Sequence, residues 1–226
     1  MHRVVRSIQQ IARHEVEQRW NAALGVVKSV HGADGQSYHA CTVELRESGL
    51  VLPKVPIAVG LIGFAALPRE NDLVVVLFPG GDLHDPVVVG RLYSEDVTPP
   101  KHGPGELVLV LPGDETAEDK RLELRVSTPG DGTRSVDLKL GGKVEVSLTV
   151  DDQGLSLKAG DTSLVLRQTG ASDGKAELVV GDAKVVLEQK GDITLEASGK
   201  LRLKAAQVEI AADASVKVTG QTIDMN

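Results

Sequence analysis

The sequence predicts an all-β protein with one short helix at its N-terminus, and three observations predict it. From residue 178 onward, apolar pairs separated by one residue return every seven or eight positions: Leu178/Val180, Val185/Leu187, Ile193/Leu195, Leu201/Leu203, Val208/Ile210, Val216/Val218 and Ile223/Met225. Alternation over so short a unit describes a strand with one buried face followed by a turn, and its recurrence is an internal repeat. The 24 Gly and 10 Pro fall mostly between apolar runs rather than inside them. Aromatic residues make up 2% of the chain and none follows Tyr93, so the long second half packs on Val, Leu, Ile and Ala alone. Such a core is narrow and regular, and it suits a thin fibre better than a globule with a pocket.

The first element, within residues 1–21, is an amphipathic helix over residues 3–19. Val4, Val5, Ile8, Ile11, Ala12 and Val16 recur at helical spacing, with Arg3, Arg6, Gln9, Gln10, Arg13 and Glu17 on the other face. The stripe either packs on the helix's own domain or serves as a docking arm for a neighbouring subunit, through Val4, Val5, Ile8 and Ile11 in particular. Four Arg against two Glu make this segment slightly basic within a chain of net charge −7.

Residues 22–95 read as a compact β-barrel. A strand near Leu24 to Val30 runs into the turn Gly32-Ala33-Asp34-Gly35, and a second near Ser37 to Arg46 points Cys41, Val43 and Leu45 inward. A loop containing Pro53 and Pro56 is expected next, then strands at Leu73 to Phe78 and Val87 to Tyr93 around the turn Pro79-Gly80-Gly81-Asp82. Some five strands with no helix able to cover a sheet argue for a small closed barrel of the OB type.

Residues 96–105, with Pro99, Pro100 and Pro104, read as a junction, since proline removes donors and stops sheet pairing. Residues 106–226 return to strands: Leu107/Val110, Leu122/Leu124/Val126, Val136/Leu138/Leu140, Val144/Val146/Leu148/Val150, Leu155/Leu157 and Leu164/Leu166. Their longer, less regular spacing predicts a β-prism that narrows into a regular needle near Leu178.

The repeat has an energetic consequence. Each unit offers two or three apolar side chains at about 1.5–3 kcal/mol apiece on full burial, against about 1–2 kcal/mol of backbone entropy for each ordered residue. A lone ribbon of such units also exposes unpaired edges. Either the chain coils on itself as a solenoid, or several copies wind together with the apolar pairs on a common axis. An eight-residue unit favours the second, as one chain's share of a three-chain coil. The expected axial core is Leu178, Val180, Val185, Leu187, Ile193, Leu195, Leu201, Leu203, Val208, Ile210, Val216 and Val218.

The barrel residues carry a resemblance. Pro68-Arg69-Glu70-Asn71-Asp72 with Leu73 to Phe78, then Gly80-Gly81-Asp82, then Asp85-Pro86 with Val87 to Tyr93, together with Leu24-Gly25-Val26-Val27, resemble the OB-fold of phage baseplate assembly protein V and of the VgrG spikes of contractile injection systems. That resemblance implies a homotrimer, with three OB barrels around an axis and C-terminal arms wound into a triple-stranded β-helix. It implies synthesis in the bacterial cytoplasm and assembly into the baseplate of a phage-tail-like particle. A tail hub protein would sit at the barrel end, docked by Val4, Val5, Ile8 and Ile11. With no hub-like domain before the barrel and no lysozyme-like domain after it, the chain resembles the short spike form. The end Gly220 to Asn226 has no His-x-His pair, so no tip metal is expected; the resemblance implies a separate PAAR-type tip protein on Thr222, Ile223, Asp224, Met225 and Asn226.

Other function classes fit poorly. Net negative charge opposes binding to phosphate backbones, and no run approaches the roughly 18 apolar residues of a membrane helix. Residues 1–20 mix charge with apolar residues and lack a signal-peptide core. The single Cys41 excludes an intrachain disulfide, fits a reducing compartment and reads as a small buried strand residue rather than a reactive thiol. No nucleophile elbow or phosphate loop is present. Asp192, Glu196, Glu209 and Asp224 alternate with Thr194, Lys204 and Lys217 and belong to a solvated face. No catalytic residue, metal or cofactor is expected, and the function predicted is a membrane-piercing spike that carries a tip or effector. The alternative is a binding module for single-stranded nucleic acid or glycan. Against it stand the few barrel aromatics, Tyr38, Phe64, Phe78 and Tyr93, and a fibre with none.

Overall fold

In the computed structural model, residues 21–32, 39–130 and 132–224 are described. The expected N-terminal helix with its docking residues Val4, Val5, Ile8 and Ile11, the centre of the first hairpin turn, Tyr38, and the terminal Met225 and Asn226 lie outside them. The chain divides into two units, residues 1–99 and 100–226.

The first unit holds β1 (Ala22–His31), β2 (Ala40–Leu45), β3 (Val51–Pro56), β4 (Leu73–Leu77) and β5 (Val87–Leu92). They form one antiparallel sheet in the order β3-β2-β1-β4-β5. The sheet closes on itself where β3 meets β5: Ile57 bridges Val88 in parallel, and the Ala58 N–H donates to the Val88 carbonyl at 2.8 Å. One long strand shared by both halves and a parallel seam just past the end of the third strand against the fifth make an OB barrel, leaving most of β3 as an edge. Bulges at Val27/Ser29, Cys41/Val43 and Val75/Val76 supply the bends that closure needs.

The loop expected around Pro53 and Pro56 is a strand. β3 ends the sheet order, so its outward positions owe no ladder hydrogen bond, and Pro53 sits in the bulge between the pairs Val43↔Leu52 and Cys41↔Val55. An edge and a bulge are the two places where a sheet accepts proline.

Alternation along each strand fills the interior with Val27, Cys41, Val43, Leu45, Leu52, Val55, Val74, Val76 and Val88, capped by Phe78. Gly25 is buried beside them because a Cβ there would overlap the Val43 side chain. Cys41 is fully buried and unpaired, and burial pushes its thiol pKa up to about 11, so it is a packing residue.

The second unit is a nine-stranded antiparallel meander: β6 (Glu106–Leu111), β7 (Leu122–Ser127), β8 (Ser135–Leu140), β9 (Val146–Asp151), β10 (Gly154–Ala159), β11 (Thr162–Arg167), β12 (Lys175–Val180), β13 (Ala183–Glu188) and β14 (Ile193–Ala197). Each strand pairs with its sequence neighbours, so this region is not a single-chain solenoid. The short turns carry Gly-Asp pairs, as at Gly160-Asp161 and Gly181-Asp182.

Two expectations change. The doublets Leu178/Val180, Val185/Leu187 and Ile193/Leu195 take their backbone hydrogen bonds from their own chain, in the pairs Leu178↔Val185 and Val185↔Leu195, rather than from sister chains. The change in pairing expected near Leu178 falls after Ala197 instead, because hairpin register persists through β14. Residues 198–224 carry no strand assignment and are exposed throughout.

Candidate assembly surface

Register decides which side chains share a face, because directly opposed residues of an antiparallel pair point the same way. In the nine-stranded sheet the pairings align three columns. The central column is Leu109, Leu124, Leu138, Leu148, Leu157, Leu164, Leu178, Val185 and Leu195. One margin runs from Leu107 and Val126 to Leu187 and Ile193, and the other from Leu111 and Leu122 to Ala183 and Ala197. Thr162 is the one polar residue in the three columns. With strands about 4.8 Å apart, eight gaps make this face about 38 Å long.

Among the described residues of the second unit no second layer covers it. Leu107 is 60% exposed, Leu178 42%, Leu195 54% and Ile193 67%. Beside the Leu107 margin the surface dips into an open groove of about 760 Å³ that includes Val150, Leu155, Leu166, Ala176 and Leu187. Along the other margin the side chains shrink from Leu111, Leu122 and Leu140 to Ala159, Ala183 and Ala197. Anything packed there comes closer to the backbone near β14 than near β6.

The reverse face carries the charge and hydrogen-bonds itself. The Arg125 guanidinium donates to Glu106 at 2.8 Å and to Glu123 at 3.1 Å, and Asp137 accepts from Thr149 Oγ1 at 2.8 Å and from Ser135 Oγ at 3.0 Å. Glu177 pairs with Lys175 at 3.0 Å and Lys184 at 3.1 Å, and hydrogen bonds from both hold its carboxyl below the usual value. Hydrogen bonds do the same for Asp152, from Arg134, and for Asp173, from Thr169 and Gly170. The sheet therefore has a charged, hydrogen-bonded face and an apolar one left open among the described residues, an extent of apolar surface of the kind that interaction sites carry.

The residues expected on the axis divide into two groups. Leu178, Val185 and Leu195 stand in the central column, Val180 on the margin that shrinks, and Leu187 and Ile193 on the other. Leu201, Leu203, Val208, Ile210, Val216 and Val218 lie in the unpaired segment, between 54% and 71% exposed. Thr222, Ile223 and Asp224 are exposed as well.

The apolar face extends beyond the residues that spacing singled out, since it begins at Leu107. Leu107, Leu109 and Leu111 share it, while Val110 faces the charged side opposite Glu123. Val144 precedes β9 and belongs to a turn. Strict alternation in Glu106 to Leu111 was the signal available, obscured because both alternating sets in Leu-Val-Leu-Val-Leu are apolar.

For chemistry the surface offers little. Among the described residues no three His, Cys, Asp or Glu side chains stand close enough to hold a metal ion. His31 hydrogen-bonds Thr42, His84 pairs with Asp82, and the His102 ring meets the Pro100 carbonyl at 2.9 Å. No described helix is long and apolar enough to cross a membrane.

Residues 24–93 match the family model of the type VI secretion system/phage-baseplate injector OB domain. No curated protein matches the chain. The matched segment begins inside β1 and ends one residue past β5, so it spans all five strands of the closed barrel. Residues 24–93 are therefore similar to the injector OB domain of type VI secretion systems and phage baseplates, and that likeness covers the first unit's barrel alone.

Proposed function

We propose that the chain is the central spike of a contractile injection baseplate, a homotrimer whose arms wind together into a needle that pierces the target envelope. The observation that carries this reading is the apolar face of β6 to β14. Three such sheets, each turning its apolar face inward, enclose a three-sided prism and leave the charged faces in water. The margin that shrinks toward Ala197 suits a prism that tapers. Past Ala197 the backbone of residues 198–224 lacks partners in its own chain, and its doublets continue the period. Backbone groups removed from water need hydrogen bonds, and in a triple-stranded β-helix the sister chains supply them.

The mechanism is mechanical. Strands that share hydrogen bonds between chains spread axial load over many bonds, and fraying of one strand is opposed by two neighbours. A hub holds the barrel end, and a tip protein or effector rides on Thr222 to Asn226. Mass measurement under native conditions tests the assembly, with three chains expected and a stable solitary chain refuting it. Removal of residues 221–226 should leave the trimer intact and abolish co-purification with a tip protein; tip capture by the shortened chain refutes the tip assignment.

A further inference from the structure

From Asp192 onward the chain carries a charge pattern that the rest of the sheet does not. In an extended unit the residues that flank and divide an apolar pair point away from it. Those positions hold Asp192 and Glu196 around Ile193/Leu195, then Lys200, Arg202 and Lys204 around Leu201/Leu203. Glu209 follows within Val208/Ile210, Lys217 within Val216/Val218, and Asp224 after Ile223. Five successive units are therefore acidic, basic, acidic, basic and acidic; of the charges from 192 to 224, Asp213 alone falls between pairs, at a bend. The alternation starts where pairing within the chain stops. β14 is an end strand of the sheet, so one of its edges has no partner among the described residues, and residues 198–224 form no strand. Earlier in the sheet acids and bases pair within the chain, Arg125 with Glu106 and Glu123, and Lys175 and Lys184 with Glu177. Among the described residues none of the eight charges on the tail units does so.

Resting on the three-chain needle described above, we propose that these charges fix the stagger between sister chains, so that each unit pairs with the following unit of a neighbouring chain. The first such contact seats the Leu201 unit of a second copy on the unpaired edge of β14. Asp192 and Glu196 flank one apolar pair as Lys200 and Lys204 flank the other, so acids meet lysines in either strand sense. Farther along, Arg202 faces Glu209, Glu209 faces Lys217, and Lys217 faces Asp224, each across a chain boundary. The apolar pairs are nearly alike from unit to unit, so their packing alone tolerates a slip by whole units. Charge does not. Without a stagger every charge meets its own copies, and a stagger of two units sets Arg202 against Lys217 and Glu209 against Asp224. Like charges directly opposite destabilise a strand pair, so a shift of one unit is the arrangement that the sequence of signs selects.

Disulfide trapping in the full-length chain reads the stagger, because strands paired side by side bring opposed residues within disulfide reach. With Arg202→Cys and Glu209→Cys in one chain, mild oxidation should join the copies head to tail into a covalent trimer on a denaturing gel. Neither single variant should cross-link, and the native Cys41 stays out of the reaction because it is buried. Covalent dimers from Arg202→Cys alone mean unshifted chains, a bridge within one chain means a tail paired with itself, and no bridge in the double variant means that these units do not meet. Each of the three overturns the stagger. Native mass of the same sample separates the two readings: three chains without the covalent trimer sink the stagger alone, and a solitary chain sinks the needle with it. A second readout is Arg202→Glu, which should raise the dissociated fraction in urea about tenfold at low salt, with the gap to the native chain narrowing as salt rises. Arg202→Gln should fall between them, and equal dissociation of all three at low salt also overturns the proposal.

Discussion

The barrel closes on its aliphatic side chains, whereas the nine-stranded sheet leaves a whole face of them open, although both are antiparallel and both are built largely of Val and Leu. The barrel can bury its inward positions because three bulges bend the sheet and Ile57 meets Val88, so five strands enclose ten buried residues. The meander shows no register shift in any of its eight pairings. Without bulges to bend it, it stays an open sheet, and only Val186 among its residues is buried, on the charged side. The difference teaches that the same alphabet makes a closed barrel or an open sheet according to whether the ladder is interrupted.

The largest test of this contrast is Leu148→Asp, at the middle of the central column. A charge there costs little in a solitary chain and about 3–5 kcal/mol per copy once enclosed without a counter-ion. Assembly should be lost while the barrel stays folded, as read by native mass and light scattering. Unchanged assembly would show that the open face is not the contact. Next in size, Leu45→Ala should cost about 2–5 kcal/mol of barrel stability and leave assembly of the sheet alone; hydrogen exchange in β1 and β2 against urea reads the first and light scattering the second.

Gly25→Ala should cost about 1–3 kcal/mol by overpacking against Val43, again confined to the barrel and measured the same way.

The smallest effect is acid sensitivity. Asp152, Asp173 and Glu177 in the second unit are held below their ordinary values, chiefly by hydrogen bonds, as is Asp82 in the barrel. A lowered folded pKa stabilises above the unfolded value and is lost as pH falls through the folded one. Loosening is therefore expected as pH falls below the ordinary 3.8 for Asp and 4.5 for Glu. The sheet's turns should respond more than the barrel, and Asp152→Asn should flatten the acid limb seen by circular dichroism. A barrel that loosens first would reverse the comparison.

Much of this was legible beforehand because alternation is a local signal. Cys41, Val43 and Leu45 declared their inward face by position, and alternation put Leu178/Val180, Val185/Leu187 and Ile193/Leu195 on one face of the sheet. Pro53 misled because its cost depends on whether a strand lies at an edge, a property of sheet order. Leu109 and Leu111 were missed because Val108 and Val110 beside them are equally apolar, and only pairing with Leu124 rather than Arg125 tells the two faces apart.

By itself, then, the sequence determined that the chain is built of short strands with a periodic apolar tail, since turn chemistry and alternation act over a few residues. Only the tertiary structure decided that doublets as far as Ile193/Leu195 hydrogen-bond within the chain, that β3 closes onto β5, and that the open face reaches back to Leu107. Those are matters of register, and register depends on which distant residues stand opposite one another.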